Sequence, residues 1–490
     1  MSEITLQKIV ALAKRRGFVF PGSEIYGGLA NTYDMGPLGV ELLRNIQNSW
    51  WKTFVHNRED IVGLDTSILM SPRVWEASGH TQSFTDVLID CKECKTRTRA
   101  DHLIEDWFAE SKRELARNDE KGKGTYVAHV ETEVGSLNAA LDSSAEINQS
   151  VEGLSPEELE KIIKTNKITC PSCKKLNWTK PRAFNLLFET NVGIVEESQS
   201  KVYLRGEIAQ GMFVNFKNVL DTVRPKLPFG IAQSGKAFRN EITLGNFIFR
   251  TLEFNLAEFE YFIDPKESSW EEVFEYWQDE VKAWVLSLGI DSKKLKWRPH
   301  TDEERAHYST RTEDIDFEFP MGFKEMAAVA YRTDYDLRNH MEKSGQDMRY
   351  TNPQTGEKFI PHVIEPTFGI NRVFLALLVD AYAEEENRTV LKLDPKIAPY
   401  RAAVFPLVRN KPEITDYARK VFSQLSNIVN VAWDDRGNIG KRYLSQDEIG
   451  TPYCITVDYD TLQDNSVTVR HRDTTKQERV SVDNLIKYIS

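Results

Sequence analysis

The feature that most constrains the fold of this chain is a strand-rich stretch between residues 228 and 264. It reads PFGIAQSGKAFRNEITLGNFIFRTLEFNLAEFEYFID, with two extended runs around a short loop that holds Gly245 and Asn246. Two strand-like runs around a glycine-containing loop predict an antiparallel β-hairpin. We therefore take this hairpin as the element around which the rest of the chain is organised.

Two charged residues at the end of the first run suggest a chemical role for the hairpin. Residues 237–241, AFRNE, look like strand, and Arg239 and Glu241 stand two positions apart. In a strand such residues project from the same face. Arginine on a phosphate and glutamate on an adenine amino group would suit a nucleotide. Taken alone, the run favours a simpler interpretation, a cross-strand ion pair on a solvated sheet.

The same stretch nearly spells a phosphate-binding P-loop, which we exclude. Residues 230–237, GIAQSGKA, have its glycine and lysine spacing, but Ala237 stands where that loop needs a hydroxyl for Mg²⁺. The preceding residues 224–228, RPKLP, are also not a buried apolar strand.

Two further stretches place the hairpin in a larger pattern. Residues 361–378, PHVIEPTFGINRVFLALL, run from an apolar strand through a glycine turn into a helix, and residues 32–55, TYDMGPLGVELLRNIQNSWWKTFV, open a helix from another glycine turn. In this order the three stretches resemble the motifs of class II aminoacyl-tRNA synthetases, and in detail the glycyl-tRNA synthetases of the dimeric α2 type. The resemblance covers nearly the whole chain, including residues 78–80 (SGH), 205–211 (RGEIAQG) and 439–452 (IGKRYLSQDEIGTP).

The resemblance implies an α+β fold with three parts. A class II catalytic domain, an antiparallel sheet flanked by helices, is expected over residues 1–90 and 174–395. An insertion with a zinc knuckle is expected over residues 91–173, and an α/β anticodon-binding domain over residues 396–490. The residues themselves support the last boundary, because alternating strand and helix patterns follow the proline-rich residues 394–400, DPKIAPY.

The reaction that the resemblance implies has two steps. Glycine and ATP give glycyl-adenylate and pyrophosphate, and the glycyl group then passes to the 3′ end of tRNA(Gly). Attack on the α-phosphate needs positioning and charge neutralisation more than acid–base chemistry. Matching positions give Arg239 for the α-phosphate, Arg372 for the terminal phosphates and Glu365 for Mg²⁺ as the catalytic set. The expected ATP-binding residues are Arg239, Asn240, Glu241, Phe254, Glu325 and Arg372, with Glu325 and Glu365 forming one acidic wall.

The expected glycine-binding residues are Glu207, Glu258 and Thr367, where carboxylates would hold the ammonium group. The family usually has Ser at position 367, and this sequence departs from the family pattern at further positions around the pocket, namely Gly206, Ile208, Leu244, Leu252 and Ala328. Thr367 and Ala328 each add one methyl group to the expected pocket. We therefore predict a tighter site that still takes glycine, with a raised KM, and rejects alanine.

The five cysteines predict a zinc site. They fall as Cys91-x-x-Cys94, Cys170-x-x-Cys173 and a single Cys454. Paired CxxC motifs in a chain without a secretion signal favour tetrahedral Zn²⁺ over disulfides. Two alternatives stay open, because the long segment between the pairs allows knuckles that never meet or that have lost their metal.

A second cluster of possible ligands is less specific. His300 and His307 flank Glu303 and Glu304. Their seven-residue spacing and the lack of a ligand partner favour a packing or surface role over a metal site.

Composition and charge set the expected setting. The net charge of −11 argues against a protein coated for non-specific nucleic-acid binding, although residues 396–490 carry 14 basic and 12 acidic side chains. Residues 1–17, MSEITLQKIVALAKRRG, predict an amphipathic helix that ends at Gly17 rather than a signal peptide, so we expect a cytoplasmic protein without membrane contact.

The helix predicted from Pro37 to Phe54 bears on assembly. It carries two adjacent tryptophans and a wide apolar face, which predicts more apolar surface than one core needs and therefore a homodimer. A core helix of a monomer is the alternative.

Two other functions remain as alternatives to a glycine–tRNA ligase. One is a non-catalytic synthetase-like protein that binds RNA or another protein, and the other is a class II ligase with altered amino-acid choice. The joint presence of Arg239, Arg372 and Glu365 argues against the first, since a binding module has no need of all three.

Overall fold

A computed structural model describes residues 4–119, 151, 154–193, 200–241, 245–302, 305, 306 and 308–489. The predictions for Leu244 and for the cluster of Glu303, Glu304 and His307 lie outside these residues. Among the residues described, no helix combines the length and apolarity needed to cross a bilayer.

A seven-stranded sheet forms the centre of the catalytic domain. Its strands are β1 (Ile61–Gly63), β2 (Phe229–Phe238), β3 (Glu253–Ile263), β4 (Leu295–Pro299), β5 (Arg311–Phe319), β6 (Gly322–Thr333) and β7 (His362–Gly369). Their order across the sheet is β4-β5-β6-β7-β3-β2-β1, and every pairing is antiparallel except the one between β2 and β1. The predicted hairpin is confirmed, because β2 and β3 pair from Phe229 opposite Phe262 to Phe238 opposite Glu253.

The end of β2 corrects one expectation. The strand stops at Phe238, so Arg239, Asn240 and Glu241 lie beyond it rather than inside it. The backbone turns there, with the Glu241 N–H donating to the Arg239 carbonyl and the Asn240 N–H donating to Leu186. The stretch with P-loop spacing lies inside β2 as extended strand, which agrees with its exclusion.

Helices cover both faces of this sheet. They are α1 (Leu6–Arg16), α2 (Pro37–Trp51), α3 (Ala209–Val223), α4 (Trp270–Ser287), α5 (Tyr335–Ser344) and α6 (Ile370–Ala381). The helices α2, α4 and α6 share the main apolar core on one face. The helices α3 and α5 cover only part of the other face, around Phe229, Phe262 and Val363. The middle of that second face is left for polar residues.

The position of α2 contradicts the argument from its apolar surface. Leu42, Ile46, Trp50 and Phe54 are fully buried inside their own chain, where Trp50 and Phe54 pack on Phe368 of β7. The prediction that this helix has more apolar surface than one core needs is wrong, because the aromatic side chains of the sheet and of α4 cover it. The dimer itself stays a prediction.

The insertion begins on a small sheet of its own. Strands Thr85–Asp90, Arg97–Arg99 and Arg182–Asn185 pair antiparallel, and helices Ala100–Asp119 and Pro156–Thr165 pack beside them. Leu103, Ile104, Leu159 and Ile162 form a separate apolar cluster there. The described part of the insertion therefore has an apolar core of its own.

The C-terminal domain is α/β, as predicted. Its strands are β8 (Ala402–Pro406), β9 (Val431–Trp433), β10 (Tyr453–Val457), β11 (Ser466–His471) and β12 (Gln477–Ser481), in the order β9-β8-β10-β11-β12, with helices α7 (Pro412–Ser426) and α8 (Ile439–Ile449). A buried ion pair joins it to the catalytic domain, because Asp447 of α8 accepts hydrogen bonds from Arg388 and Arg470.

Candidate active site

The register of three strands sets two rows of side chains across the polar face of the sheet. Ala328 of β6 lies opposite Thr367 of β7, which lies opposite Glu258 of β3. Glu365 and Glu260 stand two residues along the same strands and so project from the same face. One carboxylate oxygen of each of Glu258, Glu260 and Glu365 lies within 4.8 Å of the other two, and all three residues are buried.

Arg332, at the end of β6, holds this acidic group together, although it was not among the site residues predicted from the sequence. Its Nη1 donates to Glu365 Oε1 at 2.7 Å, and its Nε and Nη2 donate to the two oxygens of Asp336 at 2.8 and 3.0 Å. The guanidinium also lies 3.8 Å from the centre of the Tyr308 ring and 3.8 Å from a Glu207 oxygen. The available signal was an arginine ending an apolar strand, with an aspartate four residues later.

Glu207 reaches the same region from the turn before α3. Its Oε1 accepts from Gln210 Nε2 at 2.9 Å, and its Oε2 lies 3.3 Å from His80 Nε2. Ser78 contacts His80 Nδ1 at 2.8 Å, so the SGH stretch orients the ring. Burial would raise the pKa of Glu207, but His80 and Arg332 together hold that pKa well below its usual range. Glu207 is therefore a charged carboxylate with fixed orientation.

The other acids of the group are poorly neutralised. Burial raises the pKa of Glu365 to about 7, although Arg332 opposes the effect. Burial and the nearby Glu365 raise the pKa of Glu258 and of Glu260 well above the usual range. One oxygen of Glu258 and both oxygens of Glu260 lack a hydrogen-bond partner among the described residues. Such a group would bind a small cation strongly.

The predicted nucleotide half begins at Arg239. Its Nε donates to the Gly206 carbonyl at 3.0 Å. Its guanidinium lies 5.1 Å from the centre of the Phe84 ring and 5.4 Å from that of Phe254. Phe254 itself lies opposite Ala237 in the β2–β3 pair. The guanidinium of Arg239 therefore lies near two aromatic rings, and its Nε edge is fixed by the hydrogen bond to Gly206.

Arg372 and Glu325 form a second part of this half. Arg372 lies in the first turn of α6, as predicted, and its Nη1 is 2.8 Å from Glu325 Oε2. Its guanidinium also lies 4.5 Å from the centre of the Phe249 ring. Glu241 pairs with Arg250, with 3.9 Å between Glu241 Oε2 and Arg250 Nε.

The two carboxylates expected to form one acidic wall are apart. Glu365 lies opposite Ala330, and Glu325 precedes Ala330 by five residues on β6. At the rise of an extended strand, the backbone of Glu325 lies about 16 Å along β6 from the position opposite Glu365. The structure thus groups Glu325 with Arg372 and groups Glu365 with Glu258 and Arg332.

The described departures from the family pattern have the following surroundings. A Cβ added at Gly206 would lie 3.0 Å from Phe84 and 3.1 Å from Leu187, so a larger residue needs these side chains to shift. Ile208 is fully buried against Ala237 and Leu256. The Leu252 carbonyl accepts from the Arg239 N–H, a backbone contact that leaves its side-chain identity free.

The two CxxC pairs meet in space. Cys91 Sγ lies 3.6 Å from Cys173 Sγ, and Cys94 Sγ lies 3.6 Å from Cys170 Sγ. Four sulfurs at the corners of a tetrahedron 2.3 Å from a zinc ion would be about 3.8 Å apart. Both knuckles close in the same way, with the N–H of the residue after the second cysteine donating to the carbonyl of the first. The alternative in which the knuckles never meet is excluded.

His300 and Arg442 have structural roles. His300 Nε2 lies 2.8 Å from Asp314 Oδ2, an ion pair within the sheet, which agrees with the packing role. Near the start of α8, Arg442 is buried and its guanidinium donates to the carbonyls of Pro406, Asp435, Arg436 and Gly437. The neighbouring Lys441 is exposed.

Comparison with known proteins gives matches to the insertion, the catalytic core and the C-terminal domain. Three family models match: glycyl-tRNA synthetase insertion domain 1 over residues 86–186, the tRNA synthetase class II core domain (G, H, P, S and T) over residues 187–382, and an anticodon binding domain over residues 401–490. The chain is 50% identical to the glycine–tRNA ligase of Caldanaerobacter subterraneus over 491 residues, 99% of this chain and 98% of that one. It is 50% identical to that of Clostridium tetani over 494 residues, 100% of this chain and 98% of that one. It is 49% identical to that of Geobacillus thermodenitrificans over 491 residues, 99% of this chain and 97% of that one.

Proposed function

The chain belongs to the glycine–tRNA ligase family, and from this premise we propose how its residues divide the work of the reaction. It is an aminoacyl-tRNA synthetase, which uses ATP to activate glycine and then transfers the glycyl group to tRNA(Gly). The observation that carries the proposal for the site is a buried group of carboxylates that has Arg239 beside it and Arg372, paired with Glu325, farther along the same sheet.

We assign the glycine ammonium to the acidic pocket. Glu207 and Glu258 would accept from it, and Thr367 would offer its hydroxyl oxygen. The strand register supports a small substrate. Thr367 of β7 lies opposite Ala328 of β6, so that two methyl groups would occupy the space that the side chain of a larger amino acid needs. Arg332 keeps the carboxylates in place by binding Glu365 and Asp336.

We assign ATP to the cleft between Arg239 and Arg372. One edge of Arg239 is fixed by Gly206, which leaves its Nη groups for the α-phosphate. Phe254, with Asn240 and Glu241 in the turn after β2, would contact the adenine. On ATP binding, Arg372 would leave its ion pair with Glu325 and bind the terminal phosphates instead.

A divalent ion that accompanies ATP would neutralise phosphate charge, and carboxylate oxygens suit Mg²⁺. Glu325 lies beside Arg372 with 41% of its side chain exposed, so it fits an ion bound to the terminal phosphates. Glu365 is engaged with Arg332, and we therefore propose that it serves the ammonium; its role as an Mg²⁺ ligand stays an untested prediction.

Three further assignments rest on the family and the geometry together. Cys91, Cys94, Cys170 and Cys173 would hold one structural Zn²⁺, as their spacing and sulfur distances support. The C-terminal domain would bind the anticodon of tRNA(Gly). We also propose a homodimer in the cytoplasm, on the resemblance to the dimeric type alone.

The alternatives are not favoured. A non-catalytic homologue has no use for a preserved pair of cleft arginines, and an altered amino-acid choice would need a wider pocket. Neither the Thr367 nor the Ala328 position widens it.

The first experiment tests Arg239. We expect Arg239→Ala to lower glycine-dependent ATP–pyrophosphate exchange more than a hundredfold, because a charge-assisted contact to the reacting phosphate stabilises the transition state by about 3 kcal/mol or more. Lys236→Ala is the matched control, since Lys236 lies on the same hairpin but pairs with Glu253 at the surface. Wild-type exchange by the Arg239 variant, or an equal loss in the control, would contradict the assignment.

A further inference from the structure

Gln233 is a buried amide on β2 to which the reaction as described assigns no role. It lies within residues 230–237, the stretch excluded as a P-loop, and its side chain is fully buried. Its Nε2 has no hydrogen-bond partner among the described residues. A buried N–H group without an acceptor is costly, and native proteins leave few of them. The free amide nitrogen of Gln233 therefore calls for an acceptor.

The strand register places Gln233 in the row of the proposed glycine site. Gln233 of β2 lies opposite Glu258 of β3, which lies opposite Thr367 of β7. Residues opposite each other in antiparallel strands project from the same face, and the strands lie about 4.8 Å apart. Glu258 also keeps one oxygen without a partner in the described part of the chain. The row therefore presents a free donor beside a free acceptor, which matches the carboxylate and the ammonium of one small zwitterion.

Two neighbours fix the orientation of the Gln233 amide. Thr66 Oγ1 lies 2.9 Å from Gln233 Oε1, and Arg205 Nη1 lies 3.4 Å from the same hydroxyl and 2.9 Å from the Thr66 carbonyl. Because an arginine only donates, the hydroxyl accepts from Arg205 and has its own proton for Gln233 Oε1. The oxygen end of the amide is therefore occupied, and Nε2 is the end that remains.

A cation lies beside this free nitrogen. A Cβ built on Gly235 would lie 2.5 Å from Arg205 Nη2 and 3.7 Å from Gln233 Nε2, so both nitrogens lie over this glycine. Arg205 is buried, and its hydrogen bonds to Lys236 and Thr66 use Nε and Nη1. The positive charge of its guanidinium favours an anion at this position. The acceptor that fits the Gln233 amide is therefore a negatively charged oxygen.

We propose that Gln233 Nε2 donates a hydrogen bond to the carboxylate of glycine, with the Arg205 guanidinium beside it. The proposal rests on the proposed function, in which Glu258 accepts from the glycine ammonium. Gln233 would hold one carboxylate oxygen and leave the other to form the bond to the α-phosphorus of ATP. The bond from that phosphorus to the bridging oxygen then breaks, and its electron pair leaves with pyrophosphate. Gln233 would thus orient the substrate and select an amino acid over a simple amine.

The test compares glycine with ethylamine, which has the ammonium group but no carboxylate. The KM for glycine is measured by ATP–pyrophosphate exchange with the full-length protein, and ethylamine is measured as a competitive inhibitor of the same reaction. Gln233→Met keeps the length of the side chain but removes the amide. We expect it to raise the KM for glycine about 10- to 100-fold, as for loss of a hydrogen bond to a charged group. The inhibition constant of ethylamine should change less than about twofold.

Two further variants complete the experiment. Gln278→Met is the matched control, because Gln278 lies on α4, at the other face of the sheet, where its amide donates to Glu313 at 2.8 Å. Both constants should stay at their wild-type values in this control. Thr66→Val removes the hydroxyl that orients the Gln233 amide. It should raise the KM for glycine by a smaller factor and again leave the inhibition by ethylamine unchanged.

Each outcome has a distinct meaning. An unchanged KM for glycine in Gln233→Met overturns the proposal. An equal rise of both constants also overturns it, because a general disturbance of the pocket would affect the ammonium as much as the carboxylate. If Gln233→Met does not fold, Thr66→Val decides by the same two criteria. Absence of glycine-dependent exchange by the wild type would instead overturn the proposed function, and this proposal with it.

Discussion

Replacing Arg332 by methionine would test the buried acidic pocket most severely. The substitution keeps the length and apolar volume of the side chain but removes the charge and three hydrogen bonds, those to Glu365 Oε1 and to both oxygens of Asp336. Removing one partner of a buried ion pair costs about 3–5 kcal/mol, because the other partner is left buried without compensation. At roughly 2 °C per kcal/mol for a large domain, the Tm of the catalytic domain should fall by about 6–10 °C.

The matched control lies on the helix that follows. Arg338 pairs with Asp334 at the surface, with 47% of its side chain exposed, so Arg338→Met should cost less than about 1 kcal/mol. The double variant Arg332→Met with Asp336→Asn should recover part of the loss, because one of the unpaired charges is gone. The assays are thermal unfolding and the KM for glycine in pyrophosphate exchange, which should rise in Arg332→Met and not in Arg338→Met.

The pH dependence gives the effect a sign. Without Arg332, the pKa of Glu365, which burial already raises to about 7, would rise further above its value in the unfolded chain. An acid whose pKa is raised in the folded state lowers the free energy of unfolding as pH increases. The loss of stability in Arg332→Met, relative to the wild type, should therefore grow from acid toward alkaline pH. A deficit no larger than that of Arg338→Met, at all pH values, would refute the account of the pocket.

Two further predictions concern metal and assembly. Protein purified without chelator should hold one zinc per chain by elemental analysis, and Cys170→Ser should lose it while Cys454→Ser keeps it; a content near zero with freely titrating thiols would contradict the site. Light scattering at micromolar concentration should give a mass of about twice the 56.4 kDa of one chain, and a monomer mass throughout would contradict the homodimer.

Local patterns predicted the elements of the fold because they depend on short-range periodicity and turns. The β2–β3 hairpin, the helix that ends at Gly17 and the helix with Arg372 in its first turn all occur as expected. The resemblance also supplied the family and the three-part division. The exact end of β2 was missed, because the turn at Arg239 depends on a hydrogen bond from Asn240 to the distant Leu186.

The candidate site was predictable only in part, because it depends on strand register. Glu258 and Thr367 were expected together and do lie opposite each other. The grouping of Glu365 with Glu260 and Arg332 follows from how β3, β6 and β7 align, which periodicity within one strand does not contain. The same limit applies to α2, whose apolar surface is covered by sheet residues that are distant in sequence.

The most direct test of the account is pyrophosphate exchange with glycine, alanine and serine as the only amino acids supplied. In the proposed site the carboxylates would bind the ammonium, and the methyl groups of Ala328 and Thr367, which lie opposite each other, would narrow the space beside it. Overpacking of a well-packed site typically costs about 1–3 kcal/mol, so the methyl groups should raise the KM for glycine without admitting a larger substrate. The account predicts exchange with glycine and none above background with alanine or serine. Exchange with alanine or serine as fast as with glycine would contradict it.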